Sequence, residues 1–288
     1  MKKIIAIILS IITIVACVCM SAACDGDDAN EPVVKLVNID LSSEEYGFAI
    51  KKGDTELLNK VNTFFKEKRA EIAAIFDKYT ADDADIYAFG KAYKTESTNR
   101  ANELVVATNL DFPPFEFTSG NKIAGIDMEI AELLAAYLGK TLVVKNMKFE
   151  AVVTTIQELD TCDIGIAALT ISDDRKEMVN FSDPYFGATQ ALIVRQDDDT
   201  FAECKTALEV ETLLKSLGDD VKCGGQLGTT SQYYIKGNAD MGFEGFSNLQ
   251  YKGYTSAALA IQDMLNGKVA FVVVDKATAK ALVNNVNK

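Results

Sequence analysis

From residue 103 onward the sequence alternates short β-branched runs with amphipathic stretches, and this rhythm restricts the fold more than any other feature. Residues 104–108, 141–145, 163–169, 190–195, 221–225 and 269–274 are apolar runs, mostly rich in Val and Ile. Strands covered on both faces read this way. Between them, residues 127–138, 149–159, 207–217, 256–265 and 277–286 place apolar residues three and four apart. That is the spacing of a helix with one buried face. Gly139 stands where the first of these helices must end. Strand–helix–strand repetition predicts parallel-rich sheets covered by helices. It comes in two runs joined near residues 185–190, which predicts two α/β lobes. Upstream, residues 33–37 and 46–50 read as strands. Asp54 reads as the cap of a long helix carrying Leu57, Leu58, Val61, Phe64, Phe65, Ile72, Ile75 and Phe76 at helical spacing. Residues 80–103 lack strong periodicity and read as a linker with at most a helical turn.

The first residues form an address. Lys2 and Lys3 precede an apolar run from Ile4 to about Met20, followed by Ser21, Ala22, Ala23 and Cys24. A positive start, an apolar middle and small residues before a cut site make a secretory signal peptide. The pattern resembles a bacterial lipoprotein signal, in which the Cys after the small residues takes a lipid. Cys17 and Cys24 both fit. Cys24 is favoured because the polar stretch Asp25-Gly26-Asp27-Asp28-Ala29-Asn30 follows it as a tether. Residues 1–23 would leave and residues 24–32 would link lipid to fold, with two fewer positive charges. The fold then keeps Cys162, Cys204 and Cys223. Cys204 and Cys223 flank one helical segment in a compartment that permits oxidation, so a disulfide between them is left open.

Composition removes several functions. With 29 Lys+Arg against 42 Asp+Glu the net charge is −13, the wrong sign for gripping phosphates of a nucleic acid. No His is present, which excludes His-based triads and His-ligated metals. Three scattered Cys without His make only a weak metal hypothesis, and neither a metal nor a cofactor is expected. No nucleophile–base pair is visible. The expectation is a binding protein and not an enzyme.

The segments that carry the functional reading are VVATNLDFPPFEF (105–117), GIDMEIA (125–131), DIGIAALTISDDR (163–175), FSDPYF (181–186), QLGTT (226–230) and VVVD (272–275). In this order and spacing they resemble the polar amino-acid-binding class of bacterial extracytoplasmic solute-binding proteins. The resemblance implies a type 2 periplasmic-binding fold of α/β class, with two lobes, two hinge crossovers and a ligand in the cleft between them. One piece is out of place. The segment YGFAIKKGDTELL and its helix close the chain in that family, whereas here they lie within residues 41–76. The sequence therefore looks circularly permuted. Residues 33–41 would be a lobe 2 strand. Residues 42–185 would be lobe 1, with 80–103 joining the ancestral ends, and 186–288 the rest of lobe 2.

Family positions then assign roles. Arg175 would bind a ligand α-carboxylate through paired charge-assisted bonds. Asp275 would accept from the α-ammonium, helped by Thr170 and the Ala168 carbonyl. The turn Gly228-Thr229-Thr230 enters a helix, and the Thr230 hydroxyl would meet a carboxylate. Phe112 and Phe149 would sandwich the ligand side chain. Asn109 and Gln226 would touch its distal end. Asn109 can donate and accept, which tilts the preference toward a neutral polar side chain. Asp111 and Glu116 would favour a cation if they pointed inward, and Glu116 is expected not to. The implied function is the capture subunit of an ABC-type amino-acid uptake transporter. It would be a monomer, lipid-anchored to the outer face of the bacterial cytoplasmic membrane and partnered by permease subunits. A sensory module on the same fold is the alternative, and a dehydratase-type enzyme the remote one.

Overall fold

The computed structural model describes residues 31–288 except Asp82. The leader, Cys17, the lipidation candidate Cys24 and the tether through Asn30 lie outside the described residues. In chain order come β1 (Val34–Val37), β2 (Glu44–Tyr46), β3 (Ala49–Lys51), α1 (Thr55–Glu67) and α2 (Arg69–Thr80). Next are β4 (Glu103–Thr108), β5 (Asp111–Phe112), β6 (Glu116–Ser119), β7 (Lys122–Ala124), α3 (Ile126–Tyr137), β8 (Thr141–Asn146) and α4 (Phe149–Glu158). Then follow β9 (Ile164–Gly165), α5 (Asp173–Met178), β10 (Val179–Phe181), β11 (Phe186–Ala188) and β12 (Gln190–Arg195). The last are α6 (Ala207–Ser216), β13 (Lys222–Gln226), α7 (Thr230–Lys236), β14 (Gln250–Tyr254), α8 (Ala257–Leu265), β15 (Phe271–Asp275) and α9 (Lys276–Val286).

Two five-stranded sheets define two lobes. The first has the order β10-β3-β9-β4-β8 and the second β1-β12-β15-β13-β14. Pairs β4–β8, β4–β9, β13–β14 and β13–β15 are parallel, while the strands from the N-terminal segment pair antiparallel. That segment serves both sheets. Its β1 is an edge strand of the second, and its β3 sits inside the first. Between them β2 pairs with β11, placing Tyr46 opposite Phe186 and Glu44 opposite Ala188. This ribbon holds the two crossovers side by side. At the far edge the Asn287 amide accepts from the N–H groups of Val33 (2.9 Å) and Val34 (3.2 Å) and donates to the Val34 carbonyl (2.8 Å).

Burial follows the sequence pattern. All five residues of β15 (Phe271-Val272-Val273-Val274-Asp275) are buried, as a covered central strand requires. Each buried Val or Phe there contributes roughly 1.5–3 kcal/mol. One apolar cluster joins Tyr46, Phe48, Phe115 and Ile126 of the first lobe to Ile193, Val272 and Val274 of the second. Each lobe also has a cluster of its own, around Val105, Val143 and Val152 in the first and Phe201, Leu214 and Phe271 in the second.

The structure departs from the sequence reading at several points. The long helix predicted after Asp54 breaks at Lys68 into α1 and α2, although Asp54 does cap it, accepting from the Leu57 N–H at 2.9 Å. The strand expected over 163–169 stops at Gly165, and Ala168 takes a left-handed φ of 45°. The linker is better attached than expected, since Lys91 pairs with Ile123 and Lys94 with Val143. The disulfide left open by the sequence does not form. Cys204 and Cys223 are free thiols packed into the second lobe's own cluster, with Cys223 wholly buried.

Candidate functional site

The site is assembled where strand ends of both lobes meet the ribbon. Arg175 lies in the short helix α5 and is only 7% exposed. Its Nη1 donates to the Thr170 carbonyl at 2.8 Å and its Nη2 to the Gly228 carbonyl at 3.1 Å. The guanidinium also lies 5.4 Å from the Phe149 ring centroid. Both hydrogen bonds go to carbonyls and neither to a carboxylate. Burial lowers the Arg175 pKa, and the charges of Tyr233, Asp174, Glu44 and Asp275 oppose that shift. Gly228 accepts this bond from a turn with φ 73°, and a Cβ there would come within 2.7 Å of the Glu150 side chain. Only glycine fits without displacing a neighbour.

Asp275 ends β15 in the second lobe. It stands at the N-cap of α9 but makes no capping bond, and the Tyr46 hydroxyl donates to it instead. Burial, then the charge of Glu44, pushes the Asp275 carboxyl up to about 7. Burial and the neighbouring Asp275 raise Tyr46 well above its usual value, so it remains a donor. Glu44 is the hub of the ribbon. It accepts from the Ser42 hydroxyl (2.7 Å), the Thr170 hydroxyl (2.9 Å) and the Gln190 amide (2.9 Å). Gln190 lies opposite Asp275 in the β12–β15 register.

The cleft is bridged twice more. Thr170 Oγ1 lies 2.9 Å from Thr230 Oγ1. Gln226 Nε2 donates to Asn109 Oδ1 at 2.7 Å and to the Thr255 carbonyl at 3.1 Å. Asn109 Nδ2 in turn donates to the Met147 carbonyl at 2.9 Å. These partners fix both amides, because each NH2 group faces a carbonyl that can only accept. Gln226 Oε1 is left buried and without a partner.

Behind the site, Glu116 and Asp127 are both fully buried. Asp127 accepts from the Ala168 N–H and the Tyr185 hydroxyl, each at 2.8 Å. Burial and the charge of Asp127 raise the Glu116 pKa well above the usual range, and burial raises Asp127 as well. With both groups ionised, neither Glu116 oxygen finds a donor. Protonated, Glu116 can donate to Asp127. The pair holds Ala168 by its N–H in a backbone region that costs of order 1–3 kcal/mol.

Arg175, Thr170, Thr230 and Asp275 thus come together around Glu44, and Asn109 meets Gln226. Phe149 lies under Arg175, whereas Phe112 stacks on Phe115 with centroids 6.3 Å apart. Sequence reasoning missed Glu44, Tyr46, Gln190 and Asp127. The signal for Glu44 was period-two spacing, since Glu44 and Tyr46 share the buried side of β2 while Glu45 is exposed. Among the described residues no group of three or more Cys, Asp or Glu is placed to hold a metal.

A buried guanidinium thus stands in one lobe and a buried carboxylate in the other. The family described as bacterial extracellular solute-binding proteins, family 3, matches residues 104–288. The chain belongs to this family. Its relatives include the arginine-binding extracellular protein ArtP of Bacillus subtilis (strain 168), 31% identical over 101 residues, covering 35% of this chain and 39% of ArtP. The L-cystine-binding protein TcyJ of Escherichia coli (strain K12) is 27% identical over 186 residues, covering 64% of this chain and 63% of TcyJ. The chain therefore spans less than two thirds of either relative. Among solved structures, an ancestral arginine-binding protein bound to arginine matches with TM-score 0.54 and 34% identity, over 64% of this chain and 74% of that one. An ancestral amino acid-binding protein, a precursor of cyclohexadienyl dehydratase, matches with TM-score 0.56 and 27% identity, over 65% and 75%. No helix among the described residues is long and apolar enough to cross a membrane.

Proposed function

We propose that this family 3 solute-binding protein captures an L-amino acid in the cleft by closing its lobes, and delivers it to an ABC-type permease. The observation that carries the reading is the buried Arg175, bonded only to carbonyls and within reach of the charge of Asp275 from the opposite lobe. A ligand α-carboxylate and α-ammonium satisfy both charges at once, and only when the lobes are together.

The ligand side chain is proposed to carry a donor. Asn109 is engaged at both ends of its amide, so it does not favour a neutral polar group as its identity alone implied. The buried, unpartnered Gln226 Oε1 calls for an N–H, such as a guanidinium or amide supplies. The arginine-binding relative and the arginine-bound ancestral structure are consistent with this choice.

Anchoring through a lipid on Cys24, and rotation of the sequence order, belong to the same proposal. The rotation is supported by three facts. The family match begins at residue 104, β1 and β3 from the unmatched segment are built into different sheets, and Asn287 is bonded to Val33 and Val34. A gene reordered as 104–288 followed by 33–101 is expected to give a protein with the same ligand affinity. Cys24→Ala is expected to release the protein from the membrane fraction, and Cys17→Ala is not.

The central test is a thermal-shift panel of L-arginine, L-glutamine, L-histidine and L-cystine. The wild type is expected to shift with at least one. Arg175→Ala is expected to weaken that ligand more than 100-fold, about 3 kcal/mol. A wild type that shifts with no amino acid overturns the reading.

A further inference from the structure

Glu44 has no role in the cradle as read from the sequence, yet it organises more of the cleft than any other carboxylate. Its oxygens collect donors from three parts of the chain: Ser42 in the first crossover, Thr170 at the mouth of the first lobe and Gln190 at the start of β12 in the second. It is 7% exposed. A carboxylate accepts and has no hydrogen to give.

That constraint propagates. Thr170 has a single hydroxyl hydrogen and directs it to Glu44 at 2.9 Å. In the 2.9 Å contact between Thr170 and Thr230 the donor must then be Thr230. The bonds run in one direction, from Thr230 in the second lobe to Thr170 in the first and on to Glu44 in the ribbon. We propose that Glu44 is a positioning residue for ligand capture, which fixes the direction of this hydroxyl chain and so makes the inter-lobe contact a committed one. Thr230 gives its hydrogen to Thr170, so toward anything bound beside it the hydroxyl only accepts. In that arrangement the hydroxyl faces the ligand as an acceptor, suited to an ammonium or amide N–H. The Arg175 bond to the Thr170 carbonyl ties the same residue to the cationic side of the cradle. This rests on the amino-acid-capture reading and adds to it a determinant outside the ligand's direct contacts.

The test measures affinity by titration calorimetry. The probe is L-arginine or, if another of L-glutamine, L-histidine and L-cystine gives the larger thermal shift with wild type, that amino acid. Glu44→Gln keeps the shape but lets the amide donate, so the chain direction is no longer forced. Thr170→Val removes the middle hydroxyl without changing a charge, and Thr170→Ser keeps it. Glu44→Gln and Thr170→Val are each expected to weaken binding roughly 10-fold. The double variant is expected to be no weaker than about the worse single one, because both act through one hydroxyl. Thr170→Ser is expected to stay within about threefold of wild type. Were Glu44 only a structural prop, its effect and that of Thr170→Val would multiply. Multiplying effects, or Glu44→Gln within twofold of wild type, overturn the proposal. If Glu44→Gln does not fold, Glu44→Asp, which keeps the charge but shortens its reach to Thr170, is paired with Thr170→Val in the same cycle, with multiplying effects overturning the proposal. A wild type that binds no amino acid marks failure of the capture reading itself.

Discussion

Two pairs of buried carboxylates lie close together in this molecule, and their surroundings give them different work. Glu116 and Asp127 sit behind the cleft, where every donor comes from the first lobe and the crossover beside it: the Ala168 N–H, the Tyr185 hydroxyl and the proton on Glu116. Glu44 and Asp275 sit across the ribbon, with donors from both lobes and a buried guanidinium nearby that no carboxylate contacts directly. Burial raises Glu116, Asp127 and Asp275 alike. The first pair answers by keeping a proton, which makes it a fixed piece of scaffold. Asp275 is held up to about 7 instead, so under the capture proposal an arriving ammonium would replace its proton. What separates the two pairs is the second lobe, not the chemistry of the carboxyl group.

Replacing Asp275 would break this contrast most strongly. Asp275→Asn is expected to weaken amino-acid binding about 100-fold while raising the Tm of the unliganded protein at pH 8 by at least roughly 2–4 °C. The sign follows from the raised pKa. The folded state holds a proton that the unfolded chain loses above about pH 4, so the wild type loses stability as pH rises from there toward 7. Parallel melting and binding curves of the two proteins check both halves. The next largest effect is on wild-type affinity. Asp275 must be ionised to accept an ammonium, so Kd measured calorimetrically should rise toward tenfold per pH unit below 7 and level off above it. The smallest belongs to the scaffold pair. Glu116→Gln supplies Asp127 with a donor that cannot ionise, so ligand Kd should stay within about threefold of wild type. Its Tm should match wild type near pH 4 and exceed it by roughly 2–4 °C at pH 8, since wild-type Glu116 is neutral in the folded state and ionised in the unfolded one. An unchanged Tm difference across that range would deny that the pair holds a proton.

Most of the candidate site was legible because it rides on strand and helix ends that the alternating pattern already marks. Arg175 follows an apolar run into α5, and Asp275 closes β15. The ribbon was harder. Glu44 stands in Ser42-Ser43-Glu44-Glu45, a run that reads as solvated surface, and only the alternation through Tyr46 turns one Glu inward and the other out. The break at Lys68 left no trace in helical spacing, because apolar residues continue on both sides of it. Ala168 ended a strand early for a reason that no local propensity carries: its N–H is claimed by Asp127, 41 residues away. The short strands β5–β7 have too few residues to show a period, although Gly120 and Asn121 mark the turn between two of them.

The amide of Asn287 also decides how the proposed closure of this protein can be watched. By holding Val33 and Val34 it brings both ends of the described unit out of the same lobe, side by side. Dyes or fluorescent proteins placed at the two ends would ride together and keep one separation whether the cleft is open or shut. A sensor that reads closure needs one label on the exposed Gly120 turn of the first lobe and the other on the second, for example at Leu208, which is 73% exposed on α6. The end-to-end pair then becomes the built-in control, a distance that should not change when ligand is added.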